Sequence, residues 1–237
     1  MAQPAIPLPA STVVLVRPDE RGGFEVFMNR RPETMQTYAG VYVFPGGCVE
    51  LVDCSPEMLA LTHGLAPAEA RTTLESDLAP EVCLGHWVAA VRELFEEAGI
   101  HFFTAVDGPR ILDHAKLLQR LLPKRSALQT GRLTLPDLLN SEQLRCYLGG
   151  LTYFSHRITP EHYKIRFDTR FFLTALPAQQ IPLHFSEEVA ESLWISPQAA
   201  LERSPSGKFP MMPPTIAVLR RLAEQGSWQA LRATFKV

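Results

Sequence analysis

The sequence predicts an α/β protein with a mixed sheet flanked by helices and a helical insertion. Three observations predict it. Residues 12–17 (TVVLVR) and 24–31 (FEVFMNRR) read as two strands joined by the turn residues 18–23. Residues 87–100 (WVAAVRELFEEAGI) carry apolar positions at helical spacing and stop at a glycine. Strand character then returns, most clearly over residues 165–176 (IRFDTRFFLTAL). The order of strands, helix, strands and helix is not a regular βαβ array, so a mixed sheet is expected.

The chain has 237 residues, enough for one sizeable core with an appended subdomain. Hydrophobic residues make up 46% and charged residues 20%, a soluble globular composition. A net charge of -2 leaves no electrostatic footprint for nucleic acid or an acidic membrane. Cys48, Cys54, Cys83 and Cys146 form no C-x-x-C pair, so free thiols in a reducing compartment are expected rather than a disulfide framework or zinc site. No apolar run approaches the ~18 residues of a membrane helix, and the N-terminus lacks the layout of a secretory signal. The expected location is the cytoplasm.

Residues 1–10 are Pro-rich and read as a flexible N-terminal arm, with one domain over 11–237. After the first two strands, residues 35–40 form a loop and 41–44 a short strand, stopped by Pro45-Gly46-Gly47. Residues 54–85 change character. Ser55-Pro56-Glu57 reads as a helix N-cap with Pro at N1, and Pro67-Ala68-Glu69 opens a second helical run. Residues 101–104 read as a strand, and 108–145 as a further helical segment, so that these pieces make a mostly helical cap. Strands follow at 148–155, 165–176 and 191–195. A helix opened by Ser196-Pro197 runs to Arg203, and a terminal helix spans 215–224.

The helix over residues 87–100 presents Glu93, Glu96 and Glu97 at i, i+3 and i+4, opposite an apolar face of Trp87, Val88, Val91, Leu94, Phe95 and Ala98. A solvated acidic face is one reading. Against it, like charges four apart repel, and the cluster sits at the end where the macrodipole disfavours anions. A cation bound to the cluster accounts for both features. Arg92 precedes Glu96 by four residues and can orient a carboxylate, or it forms an ordinary surface pair.

With Gly46 and Gly47 directly after a strand, the run Arg92-Glu93-Leu94-Phe95-Glu96-Glu97-Ala98-Gly99-Ile100 resembles the signature of the Nudix hydrolases, G-x5-E-x7-R-E-U-x-E-E-x-G-U with U aliphatic. The second half matches at every fixed position. The first half matches at Gly47 but has Asp53 in place of glutamate, and residues 54–91 replace the short spacer. A box split in this way is similar to the coenzyme A diphosphatase branch, as are VFMNRR, VYVFPGG, RFDTRFF and WISP around it.

The resemblance implies a Nudix-type α/β/α sandwich that hydrolyses a nucleoside diphosphate derivative. Coenzyme A or an acyl-CoA is the first choice of substrate, and ADP-ribose or NADH the second. A non-catalytic nucleotide-binding domain is a third reading, disfavoured because all three glutamates are kept. The resemblance also implies Mg2+ or Mn2+ as cofactor, held by Glu93 and Glu97 with Glu96 and the Gly46 carbonyl, and Arg92 as their orienting partner. Hard divalent cations prefer such oxygen ligands. It further implies a general base from the loop holding Glu187, Glu188 and Glu191, with Glu188 the assigned candidate and Glu191 the alternative. Asp53 either supports the site or is a solvated loop residue.

Among the basic residues, Arg30, Arg31, Arg166 and Arg170 are the candidates for phosphate binding, with Arg157 and Lys164 nearby. Tyr153, Phe154, Phe171 and Phe172 either stack on an adenine or belong to the core. His156, His162 and His184 lack ligand spacing. The expected partner is a small-molecule nucleoside diphosphate, with neither nucleic acid nor membrane, and a homodimer is an allowed assembly. The insertion is expected to cover the non-nucleotide arm of the substrate.

Overall fold

A computed structural model describes residues 4–35, 38–106, 113–183 and 189–237. The main sheet is built on β1 (Leu8–Pro18), which runs parallel to β9 (Phe167–Ala175) along its length. Its other edge pairs antiparallel with β2 (Phe24–Arg30) near one end and with β4 (Gly46–Cys48) near the other. The strand order is β10-β2-β1-β9-β8, with β10 (Glu191–Ile195) and β8 (Thr152–Ile158) at the edges and β3 (Tyr42–Val43) added to β2. One parallel pair among antiparallel ones makes the sheet mixed, as expected.

Side-chain alternation along β1 divides the molecule. Val13 and Leu15 face a core built on the helix α3 (Pro80–Ala98), with Trp87, Val91, Leu94 and Phe95. Val14 and Val16 face the opposite core, made with α6 (Pro197–Arg203), α7 (Pro213–Ala223) and α8 (Trp228–Phe235). Helices therefore lie on both faces, and the α/β/α sandwich holds. Among the described residues no helix is long and apolar enough to cross a membrane.

Two boundaries need correcting, and a small second sheet and a last helix lie outside what the sequence led one to expect. The arm does not extend to residue 10: Leu8 to Ala10 already belong to β1. Prolines there remove only N–H donors, so the Pro9 carbonyl still accepts from Val49 N, and Leu8 N donates to Arg166 O, both at 2.8–2.9 Å. The box helix begins at Pro80 rather than Trp87, because Pro at N1 opens it and Cys83 and Leu84 continue its buried face.

The insertion and the segment over 108–145 are mostly helical, as expected, with short strands among the helices. They hold α1 (Pro56–Ala60), α2 (Pro67–Leu74), α4 (His114–Gln129) and α5 (Leu135–Glu142). A second, three-stranded sheet ties them together, ordered β5 (Thr62–His63), β7 (Leu144–Tyr147), β6 (Phe103–Ala105). Strands of two to four residues are too short to show a period of two, which is why this sheet escapes a sequence reading. The helix α8, capped by the Ser227 side chain on Ala230 N, was also not expected. Residues 108–112 of the expected helical segment lie outside the described residues.

Candidate active site

The site is assembled on the C-terminal half of α3, where β4 crosses the helix. Both faces of α3 are covered: the apolar face by the core, and the acidic face by β4 and the 3-10 turn Leu51–Cys54. That turn docks against α3 at Gly85, where an added Cβ would collide with the Cys54 sulfur. The close approach brings Asp53 beside Arg92. Asp53 is fully buried, accepts from Arg92 Nε and Nη2 at 3.0 Å each, and is braced by the Glu50 backbone N–H at 2.9 Å.

Arg92 uses its remaining N–H groups on the site itself. Nη1 donates to Glu93 Oε1 at 2.7 Å and to Glu96 Oε1 at 3.1 Å, and Nη2 donates to the Cys48 carbonyl at 2.8 Å. Five bonds satisfy the five donors of a guanidinium. Burial alone would weaken its charge, but Glu93, Asp53 and Glu96 outweigh burial and hold its pKa above the ordinary arginine range. Asp53 is thus the anchor of the orienting arginine, which resolves the alternatives left open for it.

Glu93 faces β4. A Cβ at Gly47 would meet the Glu93 carboxylate, so any larger residue would require the carboxylate to shift from the position Arg92 holds it in. Gly46 lies one residue before it on β4, paired with Thr12. Glu97 is held from a different direction. Asn29 on β2, itself buried, donates from Nδ2 to Glu97 Oε2 at 2.8 Å, and the Ser192 hydroxyl of β10 donates to Asn29 Oδ1 at 2.9 Å. Asn29 carries no motif signal. Its only trace in the sequence is a polar residue at an inward position of an apolar strand.

The carbonyl end of α3 is also covered. Arg125, buried on α4, donates to the Phe95 carbonyl at 3.0 Å and to the Glu97 carbonyl at 3.3 Å, and Gln129 donates to the Glu96 carbonyl at 2.6 Å. Gly99 closes the helix in the left-handed region at φ 68°. These donors face the negative end of the helix where three carboxylates crowd. Burial lowers the Arg125 pKa, and Glu96 and Glu97 partly restore it.

A cleft of about 430 Å³ opens beside Glu93, bounded by Gly46, Gly47, Arg31, Thr12 and Phe171. A larger hollow of about 730 Å³ between the β1–β2 turn and β10 contains none of the box residues. Of the four arginines expected to bind phosphate, only Arg31 lines the cleft. Arg30 is paired with Glu33 and the Gly40 carbonyl. Arg166 is spent on the carbonyls of Thr159 and Ala5. Arg170 is buried on the α3 side of the sheet, paired with Asp168 at 2.7 Å, and Asp168 also bonds His156. Period-two alternation on β9 is what separates Arg170 from the cleft-lining Thr169 and Phe171.

Of the aromatics, Phe172 and Phe154 are core and Tyr153 packs against the core, while Phe171 reaches the cleft wall. Glu191 accepts from the Tyr42 hydroxyl at 3.2 Å and does not line the cleft. Glu187, Glu188 and His184 lie outside the described residues. The insertion over 54–85 contributes no residue to the cleft; its helices α1 and α2 pack on α3 instead.

The donor set suits a hard divalent cation: three carboxylates on one helix, beside a strand whose glycine leaves space in front of them. Among the described residues no three His, Cys, Asp or Glu side chains already converge on one point. Arg92 and Asn29 hold the glutamates side by side along α3. The fit is therefore one of donor chemistry and of room.

A split-box helix, its arginine clamp and a glycine-walled carboxylate inside an α/β/α sandwich are the features of one class, and this chain belongs to the Nudix hydrolase family. The family model that matches is the NUDT19 Nudix domain, over residues 5–222. The chain is 32% identical over 239 residues to the acyl-coenzyme A diphosphatase NUDT19 of Gallus gallus, covering 86% of this chain and 62% of the relative. It is 28% identical over 252 residues to the human protein of the same name, covering 89% and 64%. It spans about three fifths of the length of these curated relatives. Among solved structures it is similar to a NUDIX hydrolase from Alicyclobacillus acidocaldarius, with a TM-score of 0.74, 28% identity and 97% of each chain covered.

Proposed function

We propose that this chain hydrolyses the diphosphate linkage of coenzyme A or an acyl-CoA, using Mg2+ or Mn2+ held by Glu93 and Glu97 with Glu96 and the Gly46 carbonyl. The observation that carries the proposal is the buried Arg92 clamp. It costs a desolvated ion cluster that fixes Glu93 beside an open cleft and holds Glu96 next to it on the same helix. The names of the relatives support the choice of substrate.

A divalent cation, when bound, neutralises the charge of a diphosphate and lowers the pKa of water. The residues of the chain do the rest. Arg92 and Asn29 fix the carboxylates in orientation from two sides, as partners behind a metal ligand do. Arg31 lines the cleft, and a guanidinium there suits a bidentate contact with phosphate. Glu188 takes a proton from the attacking water. The water oxygen bonds to one phosphorus, the bridging P–O bond breaks, and the other phosphate leaves with the bridging oxygen, so two phosphate monoesters result. A small-molecule partner and a cytoplasmic location belong to the same proposal.

The test is a substrate panel with Mg2+ and with Mn2+, comparing kcat/KM on CoA, ADP-ribose and NADH. CoA should lead. A higher kcat/KM on ADP-ribose or NADH would overturn the substrate assignment, and cleavage of none of them would overturn the activity.

A further inference from the structure

Beyond the last turn of α3 lies a separate hollow of about 290 Å³, which shares no lining residue with the carboxylate cleft. Gly99 and His101 after α3, His114 and Leu118 on α4, and residues 179–183 enclose it. Two sets of bonds fix the last of these against the helix end. Leu183 N donates to the Ala98 carbonyl at 2.8 Å. The Gln180 side-chain amide accepts from His101 N at 3.0 Å and donates to the His101 carbonyl at 2.8 Å.

The hollow joins an apolar rim to two histidines. Leu118, Leu122, Ile181, Pro182 and Leu183 supply the rim, with Leu122 and Ile181 exposed at 37% and 76%. His101 Nε2 and His114 Nδ1 are both buried and have no hydrogen-bond partner among the described residues. His101 is 2% exposed and its ring stacks on Phe103, so the imidazole is held in place. The two imidazole centroids lie 5.2 Å apart. A buried polar atom left unpaired is costly, and two beside one hollow call for an occupant that pairs them.

The protonation of His101 narrows what that occupant is. Phe103 N donates to its Nδ1 at 3.4 Å, and burial pushes its pKa down to about 4. The ring is therefore neutral near pH 7 with its proton on Nε2, which leaves no lone pair there for a metal ion. No lysine or arginine is among the described lining residues, so a carboxylate would be desolvated without a counter-charge. What remains is an uncharged acceptor. A carboxamide pairs both nitrogens: its oxygen accepts from His101 Nε2, and its N–H donates to His114 Nδ1 in the Nε2–H tautomer of that ring.

We propose that this hollow is a binding site for a small uncharged molecule that carries a carboxamide head on an apolar body. Apolar walls with a few convergent polar groups are the ordinary form of a small-molecule site. At the ~30 Å³ that one water takes, the hollow has room for roughly ten non-hydrogen atoms. Its occupant lies against Gly99 and Leu183, at the end of the helix that carries Glu93 and Glu97.

The experiment titrates the full chain at pH 7.5 with benzamide and with benzoate, by calorimetry, and repeats both titrations with His101→Phe and Leu122→Trp. The first variant removes Nε2 and keeps an aromatic ring beside Phe103; the second crowds the rim from an exposed position. Circular dichroism confirms folding. The expected result is one saturable benzamide site with a Kd of about 1 mM or tighter. Benzoate should bind at least about tenfold more weakly, and each variant should weaken benzamide at least about fivefold. No saturation by about 20 mM benzamide would mean that the hollow takes up water alone, and would overturn the site. Benzoate binding as tight as that of benzamide, or undiminished benzamide binding in either folded variant, would overturn it as well.

Discussion

Asp53 stands where a split in the box made the sequence hardest to read, and it is the residue on which the clamp depends. One of the Arg92 partners was legible: Glu96 sits four residues on, a spacing that brings side chains together on a helix. Asp53 was not, because its contact spans 39 residues and needs the Gly85 approach to form. Removing it leaves a buried guanidinium without its bidentate partner. Asp53→Ala should therefore destabilise by about 3–5 kcal/mol in urea denaturation, whereas Glu50→Ala, at an exposed side chain 3.8 Å from the same arginine, should stay within about 0.5 kcal/mol. Equal effects would mean that Arg92 is not held as described. Asn29 is the counterpart for Glu97. Asn29→Ala should weaken Mn2+ affinity by about 10–100-fold, measured by Mn2+ titration of the folded variant, and lower stability by about 1–3 kcal/mol in urea denaturation.

At the scale of elements, α3 joins one of the two cores to the site, and α4 secures its end. The carboxylates concentrated at the negative end of the helix looked unfavourable from the sequence, and the donors that offset this come from a segment thirty residues downstream. No local pattern marks Arg125 for that task. Arg125→Met keeps much of the side-chain volume and removes the bonds to the Phe95 and Glu97 carbonyls. It should cost about 1.5–3 kcal/mol of stability and raise the Mn2+ concentration needed for half-maximal binding. Unchanged stability and metal affinity would remove α4 from the account. Long strands and the box helix were readable because a period of two or of 3.6 repeats along them. The sheet of β5, β7 and β6 was not, since each strand is short and its partners are distant. The Pro-rich start misled for a related reason: prolines signal loss of donors, and β1 needs mainly acceptors there.

For the whole molecule, two buried histidines tie stability to pH. Burial pushes His86 and His101 down to about 4, with Arg170 adding to the effect at His86 and His114 at His101. Between an ordinary histidine pKa near 6.5 and that value the unfolded chain takes up protons that the folded chain refuses. Their contribution is therefore fully present above about pH 6.5 and is lost as pH falls toward 4, by at most about 3 kcal/mol for each group. Urea midpoints at pH 7.5, 5.5 and 4.5 should fall in that order, and His101→Phe should flatten the slope. An unchanged slope would place the acid sensitivity elsewhere. The mixed sandwich and the acidic face were visible in the sequence as a pattern of periods and one motif; the cleft, which depends on how β4, β9 and α7 meet, was not. The central claim is that Glu93 and Glu97 hold the cation that hydrolysis requires. Its most direct test is the rate of CoA hydrolysis against Mn2+ concentration, starting from chelator-treated protein, for the native chain and Glu97→Gln. Turnover should be absent without metal, should saturate as Mn2+ is added, and should fall by at least about 100-fold in the variant at the same Mn2+ concentrations. Metal-independent hydrolysis, or a Glu97→Gln protein as active as the native chain, would contradict it.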